Sequence, residues 1–350
     1  MFSLFKVPYI VLVEILKNYH PSELVCLSLC SRKSHSIVKT LWKLPENAEL
    51  EMSHGSAPSG QRLSLSPYGE PIIGVEKSEK CPKEKTISSC NVNIGNRHGI
   101  KCDMNYCGYL DTYWENDRFG FQEVTNYICD LFKTHITNVS ICMNDGFWMF
   151  DWIRQRQIEE VKWVFADFTF TEAVGSEEYT QLLRLTPTNS LSLYVSPPED
   201  FHFVGSLPSV KHLTFGNGNW MKLEHLLSLN SETVYIRNTK LTNSDINAYI
   251  KHWLSGGFPV LKYILTDVDR RTSHRELYED IEEQLVKVEE ERTYIRKTGE
   301  EAIETNRVTI AAANLPYDIR RESDGVVATC FRYRNAFAMV VWPDYDGNRV

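Results

Sequence analysis

The sequence lacks any apolar run near the roughly 20 residues that span a bilayer. It also lacks an excess of positive charge: 38 Lys and Arg face 46 Asp and Glu, a net charge of -8. That disfavours a general phosphate-binding surface, so neither nucleic acid nor membrane is an expected partner. There is no glycine-rich phosphate loop; Gly216-Asn217-Gly218 has no Lys-Ser/Thr pair and no third glycine, and reads as a turn. HExxH, GxSxG and kinase signatures are missing too. The nine cysteines are odd in number and scattered. The opening apolar stretch carries Glu14 and Pro8 and is not followed by a small-x-small cleavage site, so it does not read as a signal peptide. Reduced thiols in a cytoplasmic or nuclear protein are the expectation.

Candidate chemistry is equally thin. His98, Cys102 and Cys107 have zinc-like spacing in part, but no second Cys/His pair follows, so no metal is expected. His135, His212, His225 and His252 each sit inside an apolar pattern, where a histidine is more often structural than catalytic. Asp267 and Asp269 follow a predicted strand end, which is ordinary turn chemistry. No nucleophile, base and oxyanion donor can be assembled, and no cofactor is expected. The chain reads as a binding protein, not an enzyme.

What is present is a balanced composition, 42% hydrophobic and 24% charged over 350 residues, enough for more than one domain. The first 44 residues read as three short helices. Pro8 suits a first helical turn, His20-Pro21 breaks helix one and starts helix two, and Ser31 caps helix three. Residues 45–87 are rich in Ser, Pro and Gly and read as a loose linker. Residues 88–135 suit short strands followed by a helix, "FQEVTNYICDLF".

From 136 to 272 a form recurs. Short β-prone runs ("TNVSIC", "EVKWVFA", "SLSLYV", "VKHLTF", "ETVYIR", "VLKYIL") alternate with helical patterns such as "NSDINAYIKHWL". A strand and a helix per repeat predicts an irregular, leucine-rich-repeat-like solenoid with a parallel sheet, although the asparagine ladder of the standard repeat is absent. Residues 273–350 predict an acidic amphipathic helix over 274–297 and then a β-meander turning at Ser323-Asp324-Gly325 and at "RNA". The expected class is α+β or α/β: a three-helix unit, a strand–helix solenoid and a terminal meander. Trp148, Trp152 and Trp220 are expected in the core.

Helix one is apolar almost all round, and a unit of some 40 residues rarely buries enough surface alone. Either the rest of the chain or a partner must cover it. "FKVPYIVLVEILKNYHPSELVCLSLCSRKSHSIVK" resembles the F-box, which docks on the adaptor subunit of SCF-type cullin-RING ubiquitin ligases. Tyr9 stands where the family favours an acidic residue. "LTNSDINAYIKHWLSGG" and "YDIRRESDGVVAT…VVW" resemble the F-box-associated region of a large nematode F-box family. The resemblance implies a non-catalytic substrate-receptor subunit. Its adaptor contacts would be Pro8, Leu12, Ile15, Leu16, Leu24, Leu27 and Leu29, its partners the adaptor, a cullin through it, and an unknown protein substrate. Leu27 and Leu29 cannot face one way on a helix, so at least one is internal. The alternative is an interaction module whose divergent F-box no longer engages the ligase.

Overall fold

The computed structural model describes residues 4–55, 60–82, 89–142, 144–167, 174–269, 273–295, 307–334 and 336–342. Contacts divide the chain into two units, 1–162 and 163–350.

The first unit opens with helices α1 (Tyr9–Lys17), α2 (Pro21–Leu29) and α3 (Arg32–Leu41). Three strands follow, β1 (Leu50–His54), β2 (Gln61–Leu65) and β3 (Pro71–Lys77), then β4 (Cys90–Ile94), β5 (Arg97–Met104), β6 (Leu110–Trp114), α4 (Asp117–Phe132), β7 (Ile136–Ile141) and α5 (Trp148–Arg156). Their order across the sheet is β7-β1-β2-β3-β6-β5-β4. The β7–β1 and β3–β6 pairs are parallel and the others antiparallel.

Residues 50–54, 61–65 and 71–77 are therefore strands and not a loose linker. β1 and β2 bury alternate residues, Leu50, Met52 and His54 on one and Gln61, Leu63 and Leu65 on the other. Such alternation marks a half-buried strand, but with three inward residues apiece it is masked by the Ser, Gly and Pro between them. β7 pairs with β1.

In the second unit five strands run parallel in chain order: β8 (Trp163–Asp167), β9 (Ser190–Tyr194), β10 (His212–Phe215), β11 (Thr233–Ile236) and β12 (Tyr263–Asp267). Helices α6 (Ser176–Leu183), α7 (Leu223–Leu227) and α8 (Asn243–Leu254) lie on the connections. One strand face is fully buried through Val164, Leu191, Leu193, Leu213, Phe215, Val234 and Ile236. Trp220 gathers Tyr179, Phe201, Phe203 and Phe215 edge-on around it, with ring centroids 5.7–6.0 Å away. Trp148 and Trp152, in the first unit, are only half-buried.

After β12 the chain forms α9 (His274–Leu277), β13 (Val286–Lys287), β14 (Arg292–Ile295), β15 (Arg307–Ile310), β16 (Tyr317–Arg320), β17 (Val327–Tyr333) and β18 (Ala336–Trp342). β16, β17 and β18 are an antiparallel meander, and β18 pairs with β12. Asn335, in the second expected turn, lies outside the described residues. The hairpin β14–β15 packs Tyr294, Val308 and Ile310 against Tyr263, Leu265 and Trp342.

The acidic helix expected over 274–297 is a correction: α9 has four residues. The spacing did mark buried positions, since Leu277, Ile281 and Val288 are inside. The helix stops because the carbonyls of Leu277 and Glu279 accept from the Asn247 amide at 2.9 and 3.1 Å, and Asp280 adopts a φ of 64°. A left-handed residue ends an α-helix. The class is α+β, since parallel and antiparallel strands mix.

Candidate partner-binding surface

α1 starts after Pro8, whose extended backbone feeds the helix without a side-chain cap and with no acidic residue in the first turn. No acidic residue of its own first turn compensates its positive end. Leu12 and Leu16 point inward and are buried. Tyr9, Ile10 and Val11 point outward, with 68%, 75% and 45% of their surface exposed. Single exposed apolar residues are ordinary, but these three wrap roughly 200° of the first turn and leave it largely uncovered.

α2 starts at a capping box that the sequence reading did not foresee. The Ser22 N–H donates to His20 Nδ1 at 3.3 Å, and the His20 N–H donates to Glu23 Oε2 at 2.8 Å. Ser31 caps α3 by accepting from the Ser34 N–H at 3.0 Å. α2 and α3 are pinned to α4. Ser28 Oγ and His35 Nδ1 both bond Tyr127 Oη, at 2.7 and 3.1 Å, and the Trp42 and Phe132 rings lie 5.0 Å apart. Lys39 pairs with Asp130, which holds that carboxyl below its usual range. Burial pushes the Tyr127 hydroxyl up to about 12. The helices are fixed to the body by α2 and α3, and the outer face of α1 is left uncovered by its own unit.

The residues singled out from sequence divide accordingly. Leu12, Leu16 and Leu24 are buried by this chain, at 7%, 0% and 0% exposure, and so pack among its own helices. Pro8 is exposed, and Ile15, Leu27 and Leu29 are half-exposed. Tyr9, Ile10 and Val11 were missed. Their signal was an apolar helix with no polar side, but which side faced the body was not written in it.

Other candidates resolve into structure. Among the described residues no group of three or more His, Cys, Asp or Glu side chains is placed to hold a metal ion. His225 is buried, accepting from the Lys222 N–H through Nδ1 and donating from Nε2 to the Phe203 carbonyl, both at 3.1 Å. Asp267 accepts from the Asn238 N–H at 2.8 Å and pairs with Arg237 at 3.4 Å, beside a polar hollow of about 410 Å³. Among the described residues no helix is long and apolar enough to cross a membrane.

Comparison with known proteins completes the picture. The F-box domain model matches residues 4–45, and the model described as F-box associated matches residues 206–265. The chain carries an F-box domain and an F-box-associated region. A curated protein of Caenorhabditis elegans, "Skn-1 dependent zygotic transcript 15 protein", is 21% identical over 264 residues, covering 72% of this chain and 75% of that one. No solved structure matches significantly. Both matched families are non-catalytic modules.

The F-box-associated motif proves to be a clamp. Thr242 and Asp245 cap α8 reciprocally, the Thr242 N–H donating to Asp245 Oδ2 at 2.8 Å. Lys251 pairs with Asp280 at 3.1 Å. Trp253 is fully buried, and the Arg321 guanidinium lies 4.9 Å from its ring centre. Arg321 also forks onto Asp324, at 3.0 and 2.7 Å, and donates to the Gly257 carbonyl at 3.2 Å. Gly256 has a φ of 99°, and a Cβ on Gly257 would stand 2.3 Å from the His252 ring. Both glycines are thus required. The motif and the tail "RRESDG" recognise each other.

Proposed function

We infer that this F-box protein is the substrate-receptor subunit of an SCF-type ubiquitin ligase. F-box domains typically bind the SCF adaptor and, through it, a cullin. The observation that carries the reading is the uncovered face Tyr9-Ile10-Val11 on a helix inside the F-box match. Fully burying one such side chain contributes about 1.5–3 kcal/mol, so a partner that encloses this first turn gains a useful anchor from each side chain it covers. Pro8, Ile15, Leu27 and Leu29 complete the surface; Leu12, Leu16 and Leu24 support it from beneath.

Residues 163–350 would hold the protein substrate, on an irregular leucine-rich-repeat-like platform. Support comes from the strand face opposite the buried one, where Trp163, Phe165 and Tyr235 are half-buried and Tyr194 is exposed. Aromatic anchors of this kind dominate protein interfaces. The protein then acts by proximity, holding substrate near the charged enzyme, with no catalysis of its own and with residence in cytoplasm or nucleus. A pull-down of the full chain with purified adaptor tests this, comparing wild type with Ile10→Asp. The variant keeps its melting temperature and loses recovery about ten- to a hundredfold, the loss of one buried anchor. Equal recovery of both proteins would refute the reading, as would recovery of neither.

A further inference from the structure

Cys90 and Cys102 face each other directly across the antiparallel pair β4–β5, with their sulfurs 3.1 Å apart. Opposed residues in such a pair have Cα atoms about 4.5–5.5 Å apart, inside the range a disulfide accepts. Both are free thiols, Cys90 exposed at the sheet's edge strand and Cys102 buried. The Cys102 thiol also donates to the Cys90 carbonyl at 3.3 Å, which holds its sulfur beside Cys90. A third thiol, Cys26 on α2, is half-buried nearby, and α2 packs against β3 and β4.

We propose that Cys90 and Cys102 form a peroxide-sensitive dithiol, which closes reversibly to a disulfide and fastens β4 to β5 where the F-box helix α2 packs. The two sulfurs are unequal in a way that orders the steps. Burial, then the bond to Cys90, pushes the Cys102 thiol well up, so it stays protonated at neutral pH. Burial pushes Cys26 up to about 11, so it is equally inert. Cys90 is open to solvent and meets a hydroperoxide first, because reactivity follows exposure and thiolate character. Its thiolate attacks the peroxide oxygen, the O–O bond breaks, and hydroxide leaves with a sulfenic acid on Cys90. The Cys102 sulfur then attacks the Cys90 sulfur, and the S–O bond breaks. The departing hydroxide takes the Cys102 proton as water. Two thiols are oxidised and one hydrogen peroxide is reduced to two waters. Adjacency gives this second step its rate despite the high pKa of Cys102. A monothiol such as glutathione reverses it by exchange.

The experiment treats the full chain with hydrogen peroxide, caps remaining thiols under denaturing conditions, and maps unreduced peptides by mass spectrometry. A Cys90–Cys102 peptide lighter by two hydrogens, lost on glutathione treatment, is expected. In Cys102→Ser a dimedone adduct on Cys90 rises at least about tenfold, since the sulfenic acid is no longer consumed. Cys90→Ser, at an exposed position that leaves the fold alone, leaves Cys102 reduced. Cys90 ending as sulfinic acid with Cys102 still cappable would overturn the proposal. So would a Cys90–Cys26 link, or Cys102 oxidation at the wild-type rate in Cys90→Ser. None of these readouts depends on ligase assembly.

Discussion

Helix α1 leaves Tyr9, Ile10 and Val11 uncovered, while helix α8 buries Ile246, Asn247, Tyr249, Ile250 and Trp253 within its own unit. Both helices lie inside family matches. In α8 every motif side chain described above is used within the chain: Asp245 on the cap, Asn247 on two carbonyls, Lys251 on Asp280, Trp253 under Arg321. In α1 the inward leucines do that work and the outer face is left over. A family motif therefore marks a partner surface only where its side chains remain uncovered. The F-box-associated motif is scaffold, and under the proposed function a substrate would be held elsewhere on residues 163–350.

The largest expected effect tests the scaffold half of this contrast. Trp253→Ala removes a side chain with no exposed surface. It should cost about 3–5 kcal/mol, as Trp truncations in cores do. Denaturant unfolding measures it. A cost below about 1 kcal/mol, typical of surface substitutions and mild core changes, would mean that the motif is not core. Asn247→Ala is milder. It strands the Leu277 and Glu279 carbonyls, for about 1–3 kcal/mol. It also frees the chain beyond α9, so amide exchange should rise over residues 277–285. On the F-box side, Ile10→Ser should change unfolding by less than about 0.5 kcal/mol while weakening adaptor capture. A stability loss comparable to that of Asn247→Ala would erase the distinction between the two helices.

Some of this was readable from the residues. The helical run 243–254 matches α8 end to end, because Thr242 and Asp245 form a local capping box and Gly256 ends the pattern. α1, α2 and α3 were legible for the same local reason, proline and serine at their starts. α6 was not read at all, and β1 to β3 were hidden by short length and turn-rich flanks. The false helix after Thr272 shows a different limit. Its periodicity was real, but Asn247, some 30 residues earlier, takes the carbonyls that would have continued it. The docking surface failed similarly: Leu16 and Ile10 are both apolar on one apolar helix, and only α3 and the rest of the unit decide which is covered.

The smallest effect concerns both units alike. His54 in the first and His212 in the second each have a buried Nδ1 with no hydrogen-bond partner among the described residues. Burial lowers the pKa of both. Asp145, 3.6 Å from His54 Nδ1 and too far for a hydrogen bond, offsets this in part together with Asp117, while Lys77 adds to the lowering. Glu232 opposes it at His212, and Lys211 and Lys262 reinforce it. An unfolded histidine titrates near pH 6.5, above these folded values. Above about pH 6.5 both states are neutral and the stability is complete. As pH falls through that value toward the folded pKa, the unfolded chain binds protons that the folded one refuses, and stability drops. Thermal melts at pH 7.5 and 5.5 should therefore show the lower midpoint at 5.5. His54→Gln should flatten the dependence for residues 1–162 and His212→Gln for 163–350, followed separately by amide exchange. If either variant flattened the slope in both halves, the two units would unfold as one, and the contrast between a partner-facing helix and a self-clamped one would have to be drawn within a single cooperative body.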